Sequence, residues 1–133
     1  MLSGLKARNV MIEQCAPVSS DVRLDRLVEE HVLKNDERCF VVSDSDDPQG
    51  VITLEDVQGV SRTQGEHLTA GQVMTSADSA VAADAEDDVW GLVQRMNEED
   101  LRTVPILENG RFLGVVTLEH LWNQIRLRGE LAA

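Results

Sequence analysis

Two threonines mark the places where this chain could do chemistry. Thr53 stands three residues before Asp56 in GVITLEDV (50–57), and Thr117 stands three before His120 in GVVTLEHL (114–121). In both, an apolar run leads into Thr and then into helix-forming residues, so each Thr sits at a strand-to-helix junction. A Thr followed three residues later by an acid is the pattern of a capping box, in which side chains satisfy the first free N–H groups of a helix. Such a cap contributes about 1 kcal/mol. The same corner suits a phosphate, because the free N–H groups and the Thr hydroxyl can all donate to it. The two octapeptides share five of eight letters, but His120 replaces the acid. A neutral imidazole accepts one hydrogen bond at most, through one ring nitrogen. The two corners are therefore expected to be unequal, the first being the stronger.

Other chemistry finds little support. His31, His67 and His120 show no metal-ligand spacing with each other or with Cys15 and Cys39. The acidic string Asp44–Gly50 followed by Glu55 approaches a calcium loop, but Pro48 stands at a ligand position and the glycine comes one place late. No Ser/His/Asp or Cys/His set has local support, so no catalytic residue and no metal site is assigned, and the chain reads as a non-enzyme. Two cysteines 24 residues apart do not form a disulfide framework, and both are expected as reduced, small hydrophobes. The net charge of -12 argues against a non-specific grip on nucleic acid or anionic lipid. No apolar run approaches the ~20 residues of a membrane span, so direct membrane insertion is not expected and a cytoplasmic setting is.

The elements that must position these corners are also written twice. Leu5, Ala7, Val10 and Met11 return as Leu68, Ala70, Val73 and Met74. Leu24, Leu27, Val28 and His31 return as Val89, Leu92, Val93 and Met96, each set at i, i+3, i+4, i+7 and so on one helical face. Asp21 or Ser20 is the expected cap of the first of these helices. Phe40-Val41-Val42 matches Val104-Pro105-Ile106. The apolar runs CFVVS and GVIT flank a turn-rich string, and VPIL and GVVT flank ENGRFL, whose Asn109-Gly110 signals a hairpin. A last helix starting at Leu118 is expected to stop at Gly129. Each unit thus reads β-α-β-β-α, a tandem duplication with an offset near 64 residues. One unit of ~60 residues buries a modest core alone.

The doubled frame, with VM near the start of each unit, a VPI run, and G-[VI]-[VI]-T-x-x-[DH] after a hairpin, resembles the CBS domain family (named after cystathionine β-synthase). The resemblance implies an α/β (α+β) fold of two repeats, at 5–62 and 68–128 around a linker at 63–67, packed sheet-to-sheet about a pseudo-twofold axis. It further implies a regulatory module that senses an adenosine-type nucleotide (AMP, ADP, ATP or S-adenosylmethionine) and controls a partner enzyme or membrane protein. In the family pattern the T-x-x-D holds ribose and phosphate, and segments before the first two strands flank the base. Carried over, the main site is Thr53, Asp56, Arg38, Cys39, Ala16 and Pro17. A weaker second site is Thr117, His120, Thr103 and Pro105, with Arg102 beside it. The rival expectation is a ligand-free homodimerisation module, using Leu27, Trp90, Trp122 and Ile125. The linker 57–75 also resembles the cytoplasmic CBS tail of site-2 protease-type membrane metalloproteases, although no HExxH is present.

Overall fold

The computed structural model describes residues 4–44, 48–60, 62–77 and 81–132. It divides into two compact units. The central unit is Gln14–Asp78, and the terminal unit joins Met1–Glu13 to Ser79–Ala133. Repeat and compact unit are therefore different partitions of the chain: the lead of each copy packs with the sheet of the other. The acids Asp46 and Asp47 of the turn-rich string lie outside the described residues.

The chain enters with α1 (Ala7–Val10), part of the terminal unit. The central unit follows with β1 (Ala16–Val18), α2 (Leu24–Leu27), a π-helical continuation at Val28–Leu33, β2 (Cys39–Val42) and β3 (Gly50–Thr53). It closes with α3 (Leu54–Gln58), α4 (Arg62–Gly65), α5 (Ala70–Val73) and β4 (Thr75–Ser76). Its sheet has the order β1-β2-β3-β4, with β1 parallel to β2 and the other pairs antiparallel. The terminal unit resumes with β5 (Ala83–Asp84), α6 (Val89–Glu98), β6 (Thr103–Glu108), β7 (Arg111–Thr117) and α7 (Leu118–Ala132). Here β5 is parallel to β6, and β6 is antiparallel to β7.

Local sequence accounts for most of these elements. Asn109 and Gly110, at φ 53° and 78°, form the tight hairpin between β6 and β7 that their residue types predict. The apolar face of α6 is buried as expected: Val89, Leu92, Val93 and Met96 are each at most 3% exposed. They pack with Val104, Ile106, Val116 and Leu121, while Leu27, Phe40, Val42 and Ile52 centre the other core. Each such side chain contributes about 1.5–3 kcal/mol on burial. Pro17 lies on the edge strand β1, where a missing donor is tolerated. Pro105 faces Val115, whose N–H and C=O pair instead with Ile12, at 3.0 and 2.7 Å. That makes Pro105 a non-hydrogen-bonded position of the β6–β7 ladder, so the proline removes no bond there.

The structure corrects four expectations. Neither Asp21 nor Ser20 caps α2; its N-cap is Arg23, and the Leu24 N–H is satisfied by the Leu68 carbonyl at 3.0 Å. Asp88 does cap α6, accepting from the Gly91 N–H at 3.1 Å. The α2 stripe keeps α geometry only through Leu27: the backbone widens into π turns at Val28–Leu33, and Val28 and His31 reach the central core half-buried, Val28 packed against its rim and His31 edge-on to Phe40. Helix α7 passes through Gly129 to Ala132. Leu27 is fully buried in the central core and presents nothing to a partner.

Two glycines let the leads approach. A Cβ on Gly114 would overlap the Ile12 carbonyl, and one on Gly50 would meet the Thr75 carbonyl at 2.6 Å. These are the points where Ile12 bridges to Val115 and Thr75 pairs with Val51.

Candidate functional site

Strand β3 carries Thr53 into α3 with its residue fully buried. Thr53 is the N-cap: Asp56 Oδ2 accepts from the Thr53 N–H at 2.9 Å and from Thr53 Oγ1 at 3.1 Å. The Asp56 N–H donates back to Thr53 Oγ1 at 3.4 Å. The capping box is therefore closed. With five residues, α3 has a short dipole, so a phosphate here would depend on the Thr53 hydroxyl and a cation.

The strand register brings the other predicted residues to this corner. Cys39 lies opposite Thr53, and the Arg38 carbonyl accepts from the Leu54 N–H at 2.9 Å. Cys39 is 1% exposed, whereas the Arg38 side chain is 68% exposed. Arg38 Nη2 is 3.6 Å from Asp36 Oδ1, an exposed pair of the kind that contributes little, so the guanidinium can turn toward an anion. Ala16 and Pro17 sit one strand away, registered with Phe40 and Val41. The half-exposed Cys15 precedes them, and it is bonded to Cys39 as a disulfide. The expectation of two reduced thiols is thus overturned. The reason is the parallel register: with Ala16 across from Phe40, Cys15 falls across from Cys39, at a Cα separation of 4.5 Å.

The second corner repeats the frame with different chemistry. Thr103 lies opposite Thr117, at 3% and 1% exposed, and the Arg102 carbonyl accepts from the Leu118 N–H at 2.9 Å. The His120 N–H donates to Thr117 Oγ1 at 3.1 Å, so Thr117 caps α7 as Thr53 caps α3. Pro105 is buried two residues along β6, on the same face as Thr103. Arg102 is exposed.

Three features have weaker sequence signals. Asp36 and Asp100, 64 residues apart, both take the left-handed conformation, at φ 53° and 54°, and turn the chain toward Arg38 and Arg102. Asp tolerates that conformation better than most side chains, and its recurrence at the same place in both copies was the available clue. Asp44 accepts from Ser20 Oγ at 2.5 Å, from the Ser20 N–H at 3.0 Å and from Ser19 Oγ at 3.2 Å. The Ser20 hydroxyl, first among these, holds the Asp44 carboxyl below its usual 3.8. Finally, a groove of about 590 Å³ in the central unit is lined by Leu24, Val28, Leu33 and Val57, with Asp25 and Glu29; neither Thr53 nor Asp56 lines it. Among the described residues, no group of three His, Cys, Asp or Glu is placed to hold a metal. No described helix is long and apolar enough to cross a membrane.

Comparison with known proteins follows the same doubling. The CBS domain model matches residues 7–61 and again 70–121. Among curated proteins, no sequence matches. Among solved structures, an uncharacterised conserved protein of Pyrococcus horikoshii superposes with a TM-score of 0.70 at 19% identity, over 91% of this chain and 92% of that one. CBSX2 in complex with AMP gives 0.66 at 14% identity, over 95% and 99% of the two chains. The CBS domain of a bacterial CNNM/CorC family Mg2+ transporter in complex with ATP gives 0.68 at 18%, over 94% and 89%.

Proposed function

The chain belongs to the CBS domain family and carries two copies of the domain, and from that premise we propose that it senses an adenosine-type nucleotide at the Thr53/Asp56 corner. CBS pairs are regulatory or binding modules, not enzymes. The proposed consequence of binding is a shift in the state of a partner protein, in the cytoplasm. One observation carries the reading: the intact carboxylate at Asp56, hydrogen-bonded beside the buried Thr53 at the end of β3, where the second corner has His120. AMP and ATP in the two superposed relatives support the ligand class.

In this reading Asp56 accepts from the ribose hydroxyls. A carboxylate has about four acceptor positions, so holding Thr53 and holding ribose are compatible. On binding, the Thr53 hydroxyl turns its single proton from Asp56 to the phosphate, beside Arg38, while Asp56 keeps the Thr53 N–H; Ala16 and Pro17, tied to the buried Cys39 through the disulfide, flank the base. The second corner, with Thr117, His120, Thr103 and Pro105, binds the same ligand more weakly.

The test is a thermal-shift panel of AMP, ADP, ATP and S-adenosylmethionine, on wild type and Asp56→Ala. A ligand at a hundred times its dissociation constant adds about 2.7 kcal/mol. Asp56→Ala removes a charged acceptor, so affinity falls by about tenfold to a hundredfold. The variant also loses about 1 kcal/mol of unliganded stability through the cap. If the cap is lost but ligand response is unchanged, Asp56 is structural and the assignment fails.

A second reading has its own observation. Trp90 and Trp122 are 51% and 47% exposed, and Leu33, on the groove, is 74% exposed. Such surface favours protein association, and a homodimer is the simplest form of it. Sedimentation at micromolar concentration decides; a monomer there removes this reading.

A further inference from the structure

The disulfide is placed to do more than staple the fold. Strand β1 has three residues, lies at the edge of its sheet and, among the described residues, pairs only with β2. Pro17, in its middle, has no N–H to donate. The far end of β1 is fastened by the Ser43 N–H to the Val18 carbonyl at 3.0 Å. The near end is fastened by Cys15–Cys39. Cys39 in turn faces Thr53, and its neighbour Arg38 accepts from the first N–H of α3. One bond therefore ties the Ala16-Pro17 segment to the strand end that holds the Thr53/Asp56 box.

The two sulfurs are unequally reachable. Cys39 is 1% exposed, while Cys15 is half-exposed beside the exposed Gln14 and Pro17. The second copy has Thr103 at the position of Cys39, so the equivalent bond is impossible there.

We propose that Cys15–Cys39 is a thiol–disulfide exchange site whose oxidised form orders the entry to β1 beside the first corner, and whose reduced form releases it. The reductant is a dithiol. Its thiolate attacks the accessible Cys15 sulfur, forming a mixed disulfide and expelling Cys39 as a thiolate, which takes up a proton. The second thiol of the reductant then attacks its own sulfur in the mixed disulfide and frees Cys15 as a thiol. Two electrons and two protons pass from the dithiol, which becomes a cyclic disulfide, to the cysteine pair. In a reducing compartment a disulfide is transient, which suits a sensor better than a staple. The effect on ligand affinity rests on the nucleotide reading above; the release of β1 does not.

The experiment uses the full chain, oxidised and then reduced with dithiothreitol, and Cys15→Ser. Thiol titration, hydrogen exchange of the peptides covering β1 and β2, and calorimetric titration with AMP are read on each. The expected result is no free thiol before reduction and two after. Exchange protection is lost in β1 on reduction, with the peptides of β6 and β7 unchanged, and AMP affinity shifts with it. Cys15→Ser behaves as reduced in both conditions. Free thiols in the oxidised protein, unchanged β1 protection on reduction, or a Cys15→Ser chain that still responds to dithiothreitol each overturns the proposal. Loss of β1 protection with equal AMP affinity in both states overturns the coupling and leaves the nucleotide site standing. Loss of β1 protection with AMP bound in neither state, and no response to ADP, ATP or S-adenosylmethionine in the thermal-shift panel, sinks the nucleotide reading and upholds the switch.

Discussion

Gly114→Ala and Gly91→Ala are the same chemical change at two places, and the structure assigns them opposite signs. At Gly114 the new Cβ falls onto the Ile12 carbonyl and close to Glu13 Cα, both backbone atoms that cannot rotate away. The relief available is to push the lead off β7. That breaks the Ile12 N–H to Val115 carbonyl bond at 2.7 Å and the Val115 N–H to Ile12 carbonyl bond at 3.0 Å. Two backbone bonds at about 1 kcal/mol each give a cost of about 2 kcal/mol, within the range of overpacking measured in cores. For a chain of this size 1 kcal/mol moves the melting temperature by about 3–4 °C, so a drop of roughly 7 °C is expected. At Gly91, inside α6, a Cβ meets nothing within 4 Å. There the gain in helix propensity adds about 0.5–1 kcal/mol and raises the melting temperature by about 2–4 °C. Circular-dichroism melts of both variants against wild type read the difference. Equal shifts of one sign would refute the close approach at Ile12, because intrinsic propensity alone cannot separate the two positions so widely.

Other variants probe the remaining links. Opening Cys15–Cys39, which closes a loop over a sequence separation of 24, removes about 3 kcal/mol in the chain-entropy model and lowers the melting temperature by roughly 10 °C; guanidinium titration with and without reductant measures it, and a shift within error would mean the bond does not restrain the unfolded chain. His120→Asp installs at the second corner the carboxylate that Asp56 supplies at the first, and raises nucleotide affinity there by about tenfold; calorimetry on the Asp56→Ala background isolates that site, and no gain would show that more than the acid is missing. Asp44 has its carboxyl pKa depressed in the folded state, chiefly by the Ser20 hydroxyl. Its contribution is therefore present above the usual 3.8 and is lost as pH falls through and below it, so the stability gap between wild type and Asp44→Asn closes in acid. Melts between about pH 6 and 3 follow that gap, and a gap independent of pH would assign the loop's stability elsewhere.

Much of the frame was legible because it rests on local rules. Asn109-Gly110 demands positive φ at both positions, and the spacing of Val89, Leu92, Val93 and Met96 leaves one buried face, whatever the rest of the chain does. What was not legible depends on pairing at a distance. The Cys15–Cys39 bond follows from the parallel register of β1 on β2, which no local pattern encodes. The exchange of leads was hidden by the duplication itself: Ile12 and Thr75 stand in equivalent leads, and either lead fits either last strand until tertiary packing decides. The first helix misled for another reason. Its i, i+3, i+4, i+7 pattern is correct for α turns, but the backbone leaves that geometry at Val28, and the pattern's last two members reach the core only half-buried.

The duplication sharpens the functional argument by separating what the fold requires from what it does not. Gly50 and Gly114 recur because a lead crosses each of them, and Thr53 and Thr117 recur as buried helix caps. Asp36 and Asp100 recur at left-handed turns, while Arg38 and Arg102 each lend a carbonyl to the first N–H of a helix. None of these agreements needs a ligand, so the repeated T-x-x motif alone is no evidence for one. The two copies part at Asp56 against His120 and at Cys39 against Thr103. Both differences lie at one end of a strand pair, since Cys39 faces Thr53 and Thr103 faces Thr117. His120 still lets its N–H reach Thr117 Oγ1, so the cap survives without an acid and capping alone does not demand Asp56. The carboxylate at the first corner closes a box that the second corner does without, and the disulfide stands directly beside it. That difference, rather than the likeness between the copies, is where selection for a ligand or a redox signal would leave its trace.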